Sequence, residues 1–554
     1  MGKGLKVLLA AVAVSLTVTA VTLAATTRTA ATSDTLVFGT ASEPTSLDGA
    51  VVSDGESLRV IDQITEGLVG LKNGTTVIVP KLATSWKASS GGKVWTFKLR
   101  RGVSFQDGTP FNAKAVCANF NRWYNFTGAF ASDSTSYYYY TVFGGYKKPA
   151  AGLDNKPLYR SCKAAGDSTA VITLRRPNAA FLGALSLTAF GMQSPTAMAK
   201  YGANKGTLSK DGVFTPGGQY GVPGGFAVGT GPFKLESWKI GDKLEIVRND
   251  SYWGKKAFLR RVIFRAIPDN AARLQALQTG EIQGYDLVEP QDVPTVQKNS
   301  KLKILDRPAF NVAYVTINQK VKPFDNILVR QAVAYGLDRA GVVKTFYAGR
   351  GTVANEFMPP EVVGYSKTVR KYSYNPAKAK QLLRQAGLTL PVQVEFWYPT
   401  DVSRPYMPDP ARNFQAFAAS LNKSGFKVVP KSAPWSPDYV GRVQAGTAGA
   451  LNLIGWTGDF GDPDNFVGTF FRTEQGQWGF KNPKLFALLN KAVVETNLTK
   501  RAAMYRQANN MIMNFLPGVP YAHTKPALAF QKNVVGYIPS PVSLEPFSTV
   551  RFVG

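Results

Sequence analysis

Alternation of apolar and polar residues dominates roughly the first half of the chain and predicts half-buried strands. Turn dipeptides such as Asn73-Gly74 and Asp107-Gly108 separate the apolar segments. The predicted strands are residues 35–39, 93–99, 170–174, 244–247 and 261–264. One helix is predicted at 58–71, and a second begins after Asn112, whose side chain can cap it.

After Pro268 the pattern changes to helices that alternate with short strands. Helical apolar spacing is found at 271–279, 323–337 and 376–386, and strands are predicted at 392–397, 426–429 and 450–456. Such alternation predicts an α/β domain with a largely parallel sheet. In sheets of that kind, ligands bind beyond the carboxyl ends of the strands.

The N-terminus has a pattern of its own. Lys3 and Lys6 precede an apolar stretch from Val7 to Ala25, and small residues follow it. This order is typical of a cleaved secretory signal peptide, so we predict that residues 1–31 are removed and that the mature protein is extracytoplasmic. A membrane anchor is the alternative, although the stretch is short and rich in threonine. Because no cysteine lies near the predicted cleavage region, we expect no lipid attachment there.

Charge and cysteine content narrow the classes of partner. The chain has 65 Lys+Arg against 36 Asp+Glu, a net charge of +29, which favours anionic surroundings such as a cell envelope. The basic residues are scattered and do not form a groove with interleaved aromatics, so we predict no nucleic-acid partner. Cys117 and Cys162 are the two cysteines, and in a secreted chain they favour one disulfide. Two buried free thiols are the alternative.

Two charged motifs in the C-terminal half are candidate ligand contacts. Arg404 and Tyr406 lie in a Ser-Arg-Pro-Tyr segment, and Asp459 ends the segment 455–459, Gly-Trp-Thr-Gly-Asp. A guanidinium can donate two parallel hydrogen bonds to a carboxylate, and an aspartate suits an ammonium. Since each motif follows a predicted strand, we predict that a ligand charged at both ends, such as a short peptide, bridges them. The candidate residues inside the second segment are Trp456, Thr457 and Gly458, with Trp456 either a pocket wall or a core residue.

Motifs for catalysis or metal binding are weak. The chain has one histidine, His523, which we predict to be a core or hinge residue, and this scarcity argues against histidine-dependent enzymes and transition-metal sites. Asp459, Asp462 and Asp464 do not match the spacing of a calcium loop, and Pro463 stiffens the segment. We therefore predict no cofactor, no metal and no enzymatic activity. A secreted hydrolase that uses two carboxylates is the open alternative.

A series of sequence blocks runs in a fixed order along most of the chain. The blocks are 80–86, 95–111, 229–233, 329–333, 337–339, 374–376 and 386–387. Together they resemble the extracellular solute-binding proteins of family 5, which are the dipeptide-, oligopeptide- and nickel-binding components of ABC importers. The segment from residue 455 to residue 466 is most similar to the dipeptide-binding branch.

The resemblance implies roles for particular residues. It implies that Asp459 holds the ligand ammonium, that Arg404 holds the carboxylate and that Ser53 contacts the ligand. Phe460 departs from the branch, in which a polar residue is common at that place. The implied ligand is a dipeptide or short oligopeptide, captured reversibly by a monomer that delivers it to an ABC permease. An oligosaccharide, an opine, a nickel chelate or haem is the alternative ligand within the family.

The resemblance also implies the architecture. The fold is expected to be α/β and two-lobed, like a type II periplasmic binding protein, with an extra subdomain inserted in lobe one. Lobe one is predicted to comprise residues 32–78, 191–268 and 523–554. The inserted subdomain is predicted at 79–190 and lobe two at 269–522, with two chain crossings that form a hinge between the lobes.

Overall fold

The computed structural model describes residues 34–150, 152–153, 155–209, 214–400, 402–435 and 439–554. The predicted signal peptide, residues 1–31, lies outside the described residues. None of the helices in the described ranges combines the length and the apolar character that a membrane crossing requires. The chain folds into two lobes, each built on its own mixed sheet.

Lobe one is built on a seven-stranded sheet. Its first strand, Thr35–Thr40, pairs in parallel with Arg261–Ala266 and with Gly284–Val288. The strands in spatial order are Phe233–Lys239, Lys243–Arg248, Arg261–Ala266, Thr35–Thr40, Gly284–Val288, Ala527–Gln531 and Leu302–Asp306. The helices that pack on this sheet are Gly55–Ile64, Asn270–Thr279 and Val293–Lys298. The helix predicted at 58–71 is too long, because extended backbone at Thr65 ends it and a short strand, Val69–Leu71, follows.

This sheet corrects the predicted start of lobe two at residue 269. Strands Gly284–Val288 and Leu302–Asp306 both belong to lobe one, and Ala527–Gln531 joins them through two antiparallel ladders. The change of pattern after Pro268 therefore marks helix Asn270–Thr279, which still belongs to lobe one, and not the start of lobe two. The return at residue 523 is also corrected, because strand Gly518–Thr524 still belongs to the sheet of lobe two.

The inserted subdomain has a four-stranded antiparallel sheet. Its strands in spatial order are Ala83–Ser89, Val94–Leu99, Thr169–Leu174 and Tyr159–Ala164. Helix Ala113–Tyr124 begins where Asn112 accepts a hydrogen bond from the amide of Ala115 at 3.0 Å, and it packs on the strand Tyr159–Ala164. A disulfide between Cys117 and Cys162 joins this helix to this strand, which confirms the predicted bond. In the described part of residues 137–200, the α-helices are Tyr137–Phe143, Phe181–Ala184 and Pro195–Lys200.

Lobe two is built on a six-stranded sheet that contains the three strands predicted between helices. The order is Gly351–Val353, Gly518–Thr524, Asn311–Ile317, Leu451–Thr457, Val392–Pro399 and Phe426–Ala433. The prediction of a largely parallel sheet is wrong, because only Val392–Pro399 pairs in parallel with its neighbours and the other three pairings are antiparallel. The reason is that both connections to lobe one lie at the same end of this sheet. The chain enters through strand Asn311–Ile317 and leaves through strand Gly518–Thr524, so these two neighbouring strands run in opposite directions.

The α-helices of lobe two pack on its sheet and on each other. They are Ile327–Gly336, Arg339–Phe346, Pro376–Gln385, Pro410–Lys423, Val440–Ala445, Val467–Phe471, Pro483–Val494 and Leu498–Phe515. Several of them begin with a proline at the first turn behind an Asn or Asp cap, as at Asn375, Asp409 and Asn482. A proline is tolerated there because its missing N–H would have no partner within the helix.

The two crossings between the lobes are joined to each other. The side chain of Asn311 donates to the carbonyl of Thr524 at 3.1 Å and accepts from the amide of Thr524 at 3.0 Å. His523 lies beside them, 97% buried, with its Nδ1 2.7 Å from the carbonyl oxygen of Asn311. Burial lowers the pKa of His523 to about 4, so the imidazole is neutral near pH 7. The prediction of a core or hinge residue is confirmed.

A buried ionic network fixes the first crossing to lobe one. Arg307, which directly follows strand Leu302–Asp306, pairs with Glu545 at 2.6 Å and with Asp286. Arg59 also pairs with Asp286, at 2.6 Å. Losing one member of such a network leaves a buried charge without compensation, at a typical cost of about 3–5 kcal/mol. The network therefore holds the crossing in one position on lobe one.

Candidate ligand-binding cleft

The two charged motifs leave the same edge of the sheet of lobe two. Strands Val392–Pro399 and Leu451–Thr457 are adjacent and parallel, with Phe396 opposite Leu451. Arg404 follows the first strand and Asp459 follows the second, so both loops lie at the carboxyl ends of neighbouring strands. This is the place in an α/β sheet where ligands bind.

Asp459 is held in place by Asn465 and by a tyrosine of the other lobe. The backbone amide of Asp459 donates to Oδ1 of Asn465 at 2.7 Å, and Nδ2 of Asn465 donates to Oδ2 of Asp459 at 3.0 Å. The hydroxyl of Tyr138, from the inserted subdomain, donates to Oδ1 of Asp459 at 3.0 Å. These bonds leave further lone pairs on both carboxylate oxygens for another donor.

Burial sets the charge state of Asp459. Removal from water raises the pKa of its carboxyl to about 6, although the hydrogen bonds from Asn465 and Tyr138 act in the opposite direction. Among the described residues no Lys, Arg or His forms an ion pair with Asp459. At pH 7 the site therefore presents a negative charge that neutral hydrogen-bond donors stabilise only in part.

A pocket surrounds Asp459 and lies between the inserted subdomain and lobe two. The first side of the pocket comprises Tyr137, Tyr138, Thr141, Val142, Asn178, Ala180, Ala184 and Leu187. The second side comprises Trp456, Asp459, Phe460, Asp464, Asn465, Thr469 and Arg472. Trp456 is half-buried and meets the ring of Phe470 edge-on at 5.5 Å, so it is at once a pocket wall and part of the packing of lobe two.

The neighbouring aspartates are neutralised by arginines. Asp462 binds the guanidinium of Arg501 through two bonds of 2.6 and 2.7 Å, and Asp464 binds Arg472 at 2.6 Å. These ion pairs hold the loop behind Asp459 and occupy the carboxylates that a calcium ion would need. Within the described ranges, the acidic, His and Cys side chains form no group of three or more that could hold a metal ion.

Arg404 has different surroundings. Its backbone exchanges two hydrogen bonds with Met407, at 3.1 and 2.9 Å, which close a tight turn. Its guanidinium carbon lies 4.1 Å from the ring centre of Trp435, a cation–π contact within lobe two. Arg404 and Ser403 line a second pocket near the crossings, together with Tyr347, Thr524 and Pro526. Asp459 and Arg404 thus line two different pockets.

Two of the predicted site residues, Tyr406 and Gly458, stabilise the loops that carry the site. Tyr406 is 95% buried and packs on Gly455, where a Cβ atom would collide with its ring. Gly458 donates from its amide to the carbonyl of Phe310 at 2.9 Å, and a Cβ there would collide with the ring of Phe310. Both residues therefore stabilise the conformation of the loops, and neither is among the described residues that line the two pockets.

The two remaining predicted contacts, Thr457 and Ser53, differ from each other. Oγ1 of Thr457 is buried and has no hydrogen-bond partner among the described residues, so it is available to a ligand or to water. Ser53 is exposed, next to the Asp54 cap of helix Gly55–Ile64. Ser53 is not among the described residues that line the two pockets.

Tyr138 and Asn465 were not predicted as site residues. Tyr138 lies in the run Tyr137–Tyr140, which is conspicuous in the sequence, but its contact with Asp459 spans 321 residues of chain. Asn465 is six residues after Asp459, within the segment compared with the dipeptide-binding branch. An asparagine shortly after a candidate buried aspartate is a signal that sequence reasoning can use, because its amide supplies both a donor and an acceptor.

Comparisons with known proteins agree on the class. A profile of the bacterial extracellular solute-binding proteins, family 5 Middle, matches residues 77–478. The heme-binding protein A of Haemophilus influenzae is 32% identical over 94% of this chain and 93% of its own length. The dipeptide-binding protein of Escherichia coli is 31% identical over 87% of this chain and 88% of its own length.

A solved structure has the same fold. The ABC transporter-associated periplasmic binding protein DppA of Helicobacter pylori, in complex with the peptide STSA, is 29% identical, with a TM-score of 0.79 over 94% of this chain and 98% of that one. Two lobes on separate sheets, two joined crossings and a pocket between the lobes are the features that this fold shares with binding proteins that close on a solute. The chain belongs to the bacterial extracellular solute-binding proteins of family 5.

Proposed function

We propose that this protein is the extracytoplasmic receptor of an ABC importer for dipeptides or short oligopeptides. The observation that carries the proposal is the Asp459 carboxylate, which faces an interlobe pocket with no cationic partner among the described residues. A ligand ammonium would supply the missing positive charge. The protein would bind and release its ligand unchanged, without enzymatic activity.

The aromatic walls suit the same chemistry. Tyr137, Tyr138 and Trp456 line the pocket beside Asp459. A cation close to aromatic faces is attracted by the electrons of the rings, in addition to its attraction to the carboxylate. When closure removes water, both attractions become stronger because the local dielectric constant falls.

The carboxylate end of the ligand is assigned to Arg404. Arginine is suited to this role because its planar fork matches a carboxylate. The pocket of Arg404 lies near the crossings and the pocket of Asp459 lies at the inserted subdomain. The ligand would therefore lie along the cleft between the two loops, with Thr457 available for a hydrogen bond in between.

The relatives support peptides, and one of them supports a second candidate. The Escherichia coli relative and the Helicobacter pylori structure are named for dipeptide or peptide binding, whereas the Haemophilus influenzae relative is a heme-binding protein. Haem as cargo is thus the second candidate. A titration with haemin followed by absorbance tests it: a saturable shift of the Soret band with one site per chain would favour haem.

Mass spectrometry of the ligand released from purified protein, followed by calorimetry, tests the main proposal. We expect free dipeptides such as Met-Leu to be recovered intact and to bind. We expect their N-acetylated forms, which lack the ammonium, to bind at least about tenfold more weakly. Equal affinity for free and N-acetylated peptides would contradict the assignment of Asp459, and hydrolysed peptide in the complex would contradict the receptor role.

The remaining expectations concern the cell. We propose that residues 1–31 direct export, that the mature protein acts as a monomer and that an ABC permease receives the ligand. Family 5 members are extracellular binding proteins of transporters, which supports the location and the permease. N-terminal sequencing of the secreted protein and light scattering of the purified protein check the cleavage and the monomeric state.

A further inference from the structure

Phe460 belongs to lobe two by sequence but packs with lobe one. It follows Asp459 directly, and its side chain is 94% buried within the hydrophobic cluster of lobe one and the inserted subdomain. On that side it meets Gly183, whose Cβ position would lie 3.1 Å from Cδ2 of Phe460.

Three more contacts cross the cleft next to Phe460. The hydroxyl of Tyr138 donates to Asp459 at 3.0 Å, and the amide of Ala179 donates to the carbonyl of Val493 at 2.8 Å. The backbone of Gly461 comes so close to lobe one that a Cβ atom there would lie 2.6 Å from Cβ of Thr76. These contacts and Phe460 together form what we call the rim contacts. Except for Thr76, their lobe-one partners all lie between residues 137 and 190.

Among the rim contacts, we expect Phe460 to have the largest effect on the equilibrium between open and closed lobes. The hydrogen bonds exchange water for protein partners on closure, so their net contribution is small. Burial of a phenylalanine side chain has no such offset and shifts an equilibrium by a factor of about ten to a hundred. Its ring would be exposed to water when the lobes separate, and it is buried when they meet.

We propose that Phe460 is a positioning residue that holds the lobes together through the inserted subdomain, so that the closed cleft is populated before a ligand arrives. A receptor whose competent form is already populated loses less affinity to the conformational change. Phe460, which also lines the pocket of Asp459, therefore raises ligand affinity by favouring closure. The statement on affinity rests on the proposed peptide function, whereas the statement on closure does not.

The test compares the ligand-free lobes in wild type and Phe460→Ala. Each protein is unfolded with its disulfide intact, dialysed to remove bound solute and refolded, and X-ray scattering gives the radius of gyration. We expect the variant to be more expanded than wild type, and to contract on addition of Met-Leu more than wild type does. Circular dichroism and thermal melting establish that the variant is folded.

Two matched variants separate closure from general packing. Phe460→Leu keeps an apolar side chain and should restore most of the compact form. Phe258→Ala removes an exposed phenylalanine of lobe one that takes no part in the rim contacts, and it should behave as wild type. Equal expansion in Phe460→Leu and Phe460→Ala would overturn the apolar mechanism.

A second route to the open form keeps the ring. Gly461 has no positive φ, so Gly461→Val is compatible with its backbone and places a side chain against Thr76. We expect this wedge to expand the ligand-free protein as Phe460→Ala does and to lower Met-Leu affinity by about tenfold. If Phe460→Ala does not fold, the radius of gyration of ligand-free Gly461→Val tests the proposal in its place.

The outcomes distinguish the two proposals. If ligand-free wild type is as expanded as both variants, the proposal on Phe460 is wrong, whatever the ligand. If wild type is compact and both variants are expanded but Met-Leu binds to none of them, the closure proposal stands and the peptide assignment fails. If Met-Leu binds to wild type and to the variants with equal affinity, the statement that Phe460 raises ligand affinity is wrong.

Discussion

The loop of Asp459 and the loop of Arg404 leave neighbouring parallel strands, yet their charges have different surroundings. The carboxylate of Asp459 is reached by Tyr138 from the opposite lobe, whereas the guanidinium of Arg404 lies on Trp435 of its own lobe. The carboxylate of Asp459 is thus positioned across the cleft, whereas the guanidinium of Arg404 is positioned by a contact within lobe two, although Leu287 and Val288 of lobe one also line its pocket. Both pockets therefore take residues from both lobes, but the two charged side chains are held in different ways.

Removing the charge of Asp459 gives the largest expected effect. Asp459→Asn keeps the size of the side chain but leaves a buried ammonium without its partner, so dipeptide binding should weaken by about 2–5 kcal/mol. Calorimetry with Met-Leu measures the loss, and Asp250→Asn, an exposed acid of lobe one, is the control. An unchanged affinity in Asp459→Asn would remove the functional difference between the two ends.

Changing Arg404 should have a smaller effect. Arg404→Lys keeps the charge but removes the planar fork and the stacking on Trp435, so we expect a loss of about 1.5–3 kcal/mol, the range for hydrogen bonds to charged groups. C-terminal amidation of the peptide should weaken binding to wild type more than binding to the variant. Equal effects of amidation on both proteins would mean that Arg404 does not bind the ligand carboxylate.

Acid should weaken ligand binding through the Asp459 end alone. The pKa of Asp459 is raised to about 6, so its carboxyl gains a proton as the pH falls through 6 and no longer attracts an ammonium. The ammonium stays protonated over this range, because its own pKa is about 8. Affinity measured at pH 5 should be about tenfold lower than at pH 7. Asp459→Asn should show a flat profile, and a sloping one would place the titrating group elsewhere.

The smallest expected effect concerns the hydroxyl of Tyr138. In Tyr138→Phe the ring remains but the hydrogen bond to Asp459 is lost, so affinity at pH 7 should fall by about 0.5–1.5 kcal/mol. The same bond lowers the pKa of Asp459, and its loss should move the midpoint of the pH profile upward. A downward shift of the midpoint would contradict the contact across the cleft.

Much of lobe two could be predicted because its signals are local. The strands at 392–397, 426–429 and 450–456 are confirmed, and with them the position of both charged loops at strand ends. The disulfide followed from two cysteines in a chain with a predicted signal peptide. These inferences needed only neighbouring residues or an even cysteine count.

The boundary between the lobes could not be predicted, because it depends on strand pairing over long distances. Strand Ala527–Gln531 lies between two strands that precede it by more than 200 residues, and no local pattern encodes this position. The same reason hides the contact between Tyr138 and Asp459. Phe460 was recognised as unusual from sequence, but its packing against Gly183 needed coordinates.

The side-by-side bonding of Asn311 and Thr524 has a mechanical consequence. Because the two connecting segments are tied to each other and Arg307 anchors one of them, they cannot slide independently. We therefore expect the lobes to move relative to each other mainly by rotation about one axis that runs through both segments. Such a rotation would bring the same surfaces together in the same register at each closure.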